Sequence, residues 1–421
     1  MTGNDGKNIR ADDARIERGK TIALIPEAVK EIKAGLFTVQ SQSGVGTYRV
    51  ENNRGWKCNC PDFITRGIEC KHINAVLFHL EGCKKKVEVP IKKERMTMGQ
   101  DWSSYNSAQI EEVRLFDALL SELVEGIEEP EQVMGRPRLP INEQLFCAIQ
   151  KVYSQLSSRR ASSLYKNANE RGQIDHAPHF NAPSKLFNRA DITPILHELV
   201  MLSALPVVDM ETDFAVDSTG FRTTTFNAYN GEKHGVKKKH NWLKAHLCTG
   251  VSTNIVTSVV ITDANGSDSG QFETLVKKTA DGFLIHEVSA DMAYSSRANL
   301  DLIEEVGGTA FIPFKSNAIA KARGSAAWKR MYHYFQLNRE EFMEHYHKRS
   351  NVESTNAAIK KKFGETLKSK NPTAQTNELL AKIVAYNLTV IIHEMYENGV
   401  EPDFLHLKSS SCTESMGAGA V

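Results

Sequence analysis

Cys58-Asn-Cys60, nine residues, then Cys70-Lys-His72 is the feature that most limits how this chain can fold. Three thiolates and one imidazole in that order form a closed, tetrahedral donor set of the structural zinc type. The ~40 residues around it are too few to bury a self-sufficient core, so a metal has to hold them together. Residues 36–60 alternate apolar and polar side chains around Gly44, Gly46 and Gly55, which predicts short antiparallel strands that deliver the first ligand pair. Cys70 to Leu80 has helical spacing and delivers the second. Cys83 is off this spacing. Seven cysteines in all is an odd number, too sparse for a disulfide scaffold, and points to a reducing compartment.

Cys58, Cys60, Cys70 and His72, with Pro61-Asp62-Phe63 after the second cysteine, resemble the SWIM-type zinc finger. The resemblance implies one structural Zn²⁺ per chain and binding to DNA or to protein. The adjoining Lys84 to Lys86 and Lys92-Lys93 favour phosphate contact.

A formal net charge of +1 over 421 residues gives no hint of a polyanionic partner, but the average conceals a pattern. The balance is +5 from Arg54 to Arg95, −7 from Glu111 to Glu131, and +5 from Val133 to Gly172. It is +4 from Glu232 to Lys244 and +4 again from Glu344 to Lys370. Residues 1–20 read as a flexible tail, 21–84 as the zinc module and 85–107 as a basic linker. Residues 108–205 read as a helical region for DNA binding or assembly, in which Val113, Phe116, Leu119, Leu120 and Leu123 line one side of a helix. From 206 to 398 strands and helices alternate, and 399–421 is a small, polar tail. No apolar run approaches the ~20 residues of a membrane span, and the N-terminus lacks the apolar centre of a secretory signal.

Three acids in the second half stand out. Asp217 sits on a short apolar strand followed by the turn-forming Ser218-Thr219-Gly220, and Asp291 ends a second strand. Glu353 lies in a stretch that reads as one helix, where Tyr346, Arg349, Glu353 and Lys360 fall within an arc of about 60°. A glutamate flanked by two cations and a tyrosine suits a metal ligand beside groups that grip phosphates.

Tyr346-x2-Arg349-x3-Glu353-x6-Lys360, with Asp217 in VDSTG and Asp291 in SADMAYSS, resembles the DDE transposases of insertion sequences. The resemblance runs from about 133 to 397. It implies an α/β, RNase H-like catalytic domain, a mixed sheet flanked by helices, preceded here by the helical region and a small ββα-like zinc module. It implies Asp217, Asp291 and Glu353 as ligands of two Mg²⁺ or Mn²⁺, with Arg349 and Lys360 on phosphates and Tyr346 orienting. It also implies double-stranded DNA as partner (element ends and target), a homo-oligomer on DNA, and a cytoplasmic, nucleoid-associated prokaryotic location. Lys237, Lys238 and Lys239 are candidates for tracking the DNA backbone. Arg136 and Arg138 in Gly-Arg-Pro-Arg could enter an A·T minor groove. Asp268 is a reserve ligand. The 61 residues between Asp291 and Glu353 leave no room for the large β-rich insertion of some members. Trp328, in that interval, reads as packed or as a stacking surface for a flipped base. The alternatives are a catalytically inactive, transposase-derived DNA- or protein-binding factor and a nuclease that stops after cleavage.

Overall fold

The computed structural model describes residues 15–41, 46–53, 55–84, 101–132, 134–135, 137–223 and 242–405. The chain divides into two compact units, Met1–Met98 and Gly99–Val421.

In the first unit, helical residues 15–23 precede β1 (Val29–Lys33), β2 (Leu36–Gln40), β3 (Thr47–Asn52) and β4 (Trp56–Cys58). The four strands form an antiparallel sheet in sequence order, followed by α1 (Pro61–Arg66) and α2 (Lys71–Lys84). This corrects two expectations. The module is larger than a ββα unit, because β1 adds a strand that buries only Val29 and so carries no visible alternation. Residues 15–20, expected in a tail, are helical. Ile22 is buried, and Arg15 pairs with Asp62 at 3.2 Å. Gly19 lies so close to α2 that a β-carbon there would come within 2.6 Å of Asn74 Cβ. The aliphatic core is small, built on Val39, Val50, Ile73 and Val76, and the cysteines are part of it.

The second unit opens with α3 (Trp102–Val124), α4 (Ile141–Ser154), α5 (Ser158–Glu170), α6 (Ala182–Phe187) and α7 (Ile192–Ala204). Helix α3 starts inside the stretch expected to be a linker, capped by the Asp101 carboxylate on the Ser103 and Ser104 N–H groups. It buries Phe116, Leu119, Leu120 and Leu123 as expected, but Val113 is 61% exposed. Glu112 takes the inward position instead, receiving the Tyr153 hydroxyl at 2.7 Å and pairing with Lys362 at 2.6 Å.

The sheet follows: β5 (Asp213–Arg222), β6 (Trp242–Gly250) and β7 (Val256–Asp263), then α8 (Asp268–Ala280), β8 (Glu287–Ala290), α9 (Arg297–Glu305) and β9 (Thr309–Phe311). Its order is β7-β6-β5-β8-β9, with the first three strands antiparallel and β8 and β9 parallel to β5. Helices α10 (Ala326–Leu337), α11 (Arg339–His347), α12 (Ser350–Phe363) and α13 (Pro372–Glu397) complete the unit. A mixed sheet flanked by helices is consistent with an RNase H-like domain. No helix among the described residues is long and apolar enough to cross a membrane.

The helical region and the sheet form one unit rather than two domains meeting at residue 205, and α13 is the reason. It is buried nearly all round and packs on α3, α4, α6, α7 and β7. Two buried asparagines clamp it to its neighbours. Asn377 receives the Thr193 hydroxyl and donates to the Phe187 and Arg189 carbonyls. Asn387 accepts Val256 N–H at 3.0 Å and donates to Val256 O, Val200 O and the Ser203 hydroxyl. Removing that side chain strands one buried donor and several acceptors at once. Asn387→Leu should therefore destabilise the chain by about 2–4 kcal/mol in denaturant unfolding. A change under about 0.5 kcal/mol would show the clamp to be dispensable.

Candidate active site and metal centre

Strands β5 and β8 run parallel and pair Asp213 with Glu287 through Val216 with Ala290. One step further in the same register stand Asp217 and Asp291. Asp217 is not followed by a turn, as its small neighbours suggested. The strand continues through Ser218, Thr219 and Gly220 to Arg222, because β6 pairs with every residue of it from Phe214 to Arg222. Asp217 is thus a half-buried carboxylate in mid-strand, whereas Asp291 is exposed just past the end of β8, its Oδ1 accepting Met292 N–H at 2.6 Å.

Helix α12 crosses the face of β5 that carries Asp217, Thr219 and Phe221. It presents Glu353 on its first turn and Lys360 near its end, where the Lys360 ammonium lies 5.5 Å from the Phe221 ring. Burial pushes that ammonium below its ordinary range. The single helix expected from Tyr346 to Lys360 is in fact two. Tyr346 belongs to α11, and Arg349 is the residue before α12. Four three-residue hydrogen bonds tighten the junction, from Lys348 N to His345 O, Arg349 N to Tyr346 O, Asn351 N to Lys348 O and Val352 N to Arg349 O. The stripe survives the break because the junction keeps right-handed helical dihedrals, φ −55° and ψ −25° at Lys348, φ −54° and ψ −29° at Arg349.

Arg349 stands between the acids. One guanidinium nitrogen lies 2.6 Å from Glu353 Oε1 and the other 3.6 Å from Asp217 Oδ2. Tyr346 also hydrogen-bonds it, and together these partners outweigh burial and raise its affinity for its proton. Burial raises the Asp217 carboxyl above its usual range; the like charges of Glu353 and Asp291 add to this, while Ser218 N–H and Arg349 oppose it. Asp217 therefore feels the charges of both other acids.

Two groups that the sequence reading passed over support this site. Lys348 reaches back to the start of both carboxylate strands, 2.6 Å from Asp213 and 2.8 Å from Glu287, and His345 holds Glu287 at 2.8 Å. That network anchors the junction bearing Arg349, and the only signal for it was an extra basic residue between the motif's tyrosine and arginine. On the other side, Asp268 begins α8 and is committed to Lys244 at 2.5 Å and to buried His246 at 3.3 Å. Burial would raise the Asp268 carboxyl, but Lys244, Ser218 and His246 hold it below its ordinary range. In this structure it is an ion-pair partner of Lys244.

Trp328 is packed: Phe314 meets it edge-on, Arg297 covers its face at 4.5 Å, and its indole N–H donates to Ile319 O. Arg138 is exposed, 4.0 Å from Asp191. Arg136, Lys237, Lys238 and Lys239 lie outside the described residues.

In the first unit, Cys58 ends β4, Cys60 caps α1 by accepting Phe63 N–H, Cys70 precedes α2, and His72 lies in that helix's first turn. Their ligand atoms all fall within 4.8 Å of one another, and all four residues are buried. His72 turns Nδ1 to the Cys58 and Cys70 sulfurs, 3.9 Å from each, and packs on the Tyr48 ring; its Nε2 has no hydrogen-bond partner among the described residues. Donation from Cys58, ahead of that from His72, draws the Cys70 thiol down to about 4. Soft donors at edge lengths near those of a zinc tetrahedron fit such an ion. Among the described residues this is the only set of three or more ligand atoms so closely gathered. The three carboxylates do not gather so closely.

A carboxyl raised on folding contributes most to stability at acid pH, and that contribution is lost as pH rises through its raised value. At pH 7 without divalent cations, Asp217→Asn should melt no lower than the parent, and about 2–4 °C higher for each ~1 kcal/mol relieved. A lower Tm would mean that Asp217 stabilises the fold.

No solved structure matches the chain. Residues 209–388, the span that holds Asp217, Asp291, Arg349, Glu353 and Lys360, match the model of a family described as a transposase DDE domain, which supports a DDE-type transposase.

Proposed function

We propose that the chain is a transposase that cuts DNA at the ends of an insertion element and joins the freed 3′-hydroxyls to target DNA. The observation that carries this reading is the adjacent register of Asp217 and Asp291, with Glu353 tied to Asp217 through Arg349. Asp217, Asp291 and Glu353 would hold two Mg²⁺ or Mn²⁺. When bound, such ions supply the Lewis acidity that activates a water or 3′-hydroxyl and steadies the leaving oxygen.

The remaining roles belong to the chain. Arg349 keeps two half-repelling carboxylates together, and its five N–H donors leave capacity for a phosphate oxygen. Tyr346 positions Arg349. Lys360, resting on Phe221, is placed to reach a second phosphate. No covalent nucleophile is needed, since water and then a DNA hydroxyl attack in line. Partners are element ends and target as double-stranded DNA, with the protein acting as a homo-oligomer. In the first unit, Cys58, Cys60, Cys70 and His72 would hold one Zn²⁺ as a SWIM-type finger.

Strand transfer of DNA with matched ends in Mg²⁺ tests the catalytic reading. Asp217→Asn and Glu353→Gln should each lower joining by about 10³-fold, equivalent to the several kcal/mol a metal contributes to transition-state charge. Joining at the parent's rate would refute the assignment. Cut but unjoined product would favour a nuclease, and DNA binding without any cleavage a non-catalytic factor. For the finger, metal analysis of protein purified without chelator should find one zinc per chain; a metal-free, folded first unit would overturn the zinc assignment.

A further inference from the structure

A cavity of about 510 Å³ opens in the second unit between the end of α4, the turn into α5, α6, and the segment joining α12 to α13. None of the three site carboxylates lines it. Part of its wall is apolar, from Val152, Leu156, Phe187 and Phe363. The rest is cationic. Lys151, Lys368, Lys370 and Lys382 line it against a single acid, Glu378, so four positive charges minus one negative leave +3.

That one acid is already engaged. Its oxygens accept the backbone N–H groups of Lys368, at 2.9 and 3.1 Å, and of Ser369, at 2.7 Å. Two of the ammonium groups are held in place by neutral carbonyls: Lys382, almost fully buried, donates to Gly364 O at 2.9 Å and Thr366 O at 3.2 Å, and Lys368 donates to Gln155 O at 2.8 Å. Burial depresses Lys151 and brings Lys382 down to about 8; in both cases Glu378 opposes this and Lys368 adds its repulsion. Ser157 and Ser158 bring the N-terminal end of α5 to the wall, and no Ser157 side-chain bond caps that end. Four lysines around one cavity, one of them buried, beside helix N–H groups and with a single carboxylate that backbone N–H groups already engage, are arranged to receive an anion with several acceptor oxygens. A volume in the range of small-molecule sites and an apolar wall leave room for what the anion is attached to.

We propose that this cavity binds a phosphoryl-bearing ligand of nucleotide size, its phosphate on the lysines and its base against Val152, Leu156, Phe187 and Phe363. The inference rests on the cavity and is independent of the carboxylate assignment. The ligand's source is either a free nucleotide or one nucleotide unit of a DNA strand.

The full chain, with no added divalent cation, is titrated with 2′-deoxyadenosine 5′-monophosphate by calorimetry and with a fluorescein-labelled single-stranded 12-mer by anisotropy. Lys151→Gln/Lys370→Gln should raise Kd at least ten-fold for whichever probe binds. Lys166→Gln/Lys329→Gln, which removes the same charge from exposed positions away from the cavity, should change it less than two-fold. Lys370→Gln alone, at an exposed position, should still raise it several-fold, which guards against a folding defect at Lys151. Binding of the mononucleotide identifies a free ligand, and binding of the 12-mer alone identifies a strand. Saturable binding of neither probe, or equal weakening by the two double variants, would overturn the proposal.

Discussion

Three carboxylates cannot be gathered beside one sheet without a positive charge among them, and in this chain Arg349 supplies it. Its guanidinium meets Glu353 at 2.6 Å and Asp217 at 3.6 Å, so the acids sit at a separation the protein alone can sustain. In the absence of any ion, two negative charges that would otherwise repel are tied to one cation with donors to spare. Acids arranged in this way carry a cost in stability that a bound cation would offset, as functional sites commonly do.

Everything around Arg349 serves to hold it there. Lys348 bonds to Asp213 and Glu287, the residues that begin the two carboxylate strands, so the junction bearing Arg349 is fastened to the strands bearing Asp217 and Asp291. Helix α12 is held against the sheet by packing on β5 and β6, and α13 joins that assembly to the helical region through Asn377 and Asn387. A side chain more than a hundred residues away in sequence is thereby placed to within ångströms, which is what chemistry on a phosphodiester requires.

Much of the site was legible before the fold was known. Spacing alone brought out the Cys58, Cys60, Cys70 and His72 set, because metal geometry leaves few spacings that work. The helical stripe of Tyr346, Arg349, Glu353 and Lys360 was also readable, although the break at Lys348-Arg349 was not: both residues favour helices, and the junction arises from tertiary ion pairs rather than propensity. The reach of β5 past Asp217 was hidden because Ser218-Thr219-Gly220 are turn formers by type, overruled by pairing with β6. Strand β1 left no alternation to see, since four of its five side chains face solvent. Val113 lost the interior to Glu112, whose ion pair with Lys362 spans 250 residues and cannot be inferred locally. The lysine-lined cavity is of the same kind, assembled from residues 151 to 382.

The central claim is that Asp217, Asp291 and Glu353 form one cation site whose acids Arg349 holds in waiting. Titration of the chain with Mn²⁺, followed by the loss of the free-ion electron paramagnetic resonance signal, tests it most directly. The account predicts saturable Mn²⁺ binding to the parent chain that Asp217→Asn and Glu353→Gln each weaken at least ten-fold. Mn²⁺ binding of equal strength in the parent and both variants would contradict it.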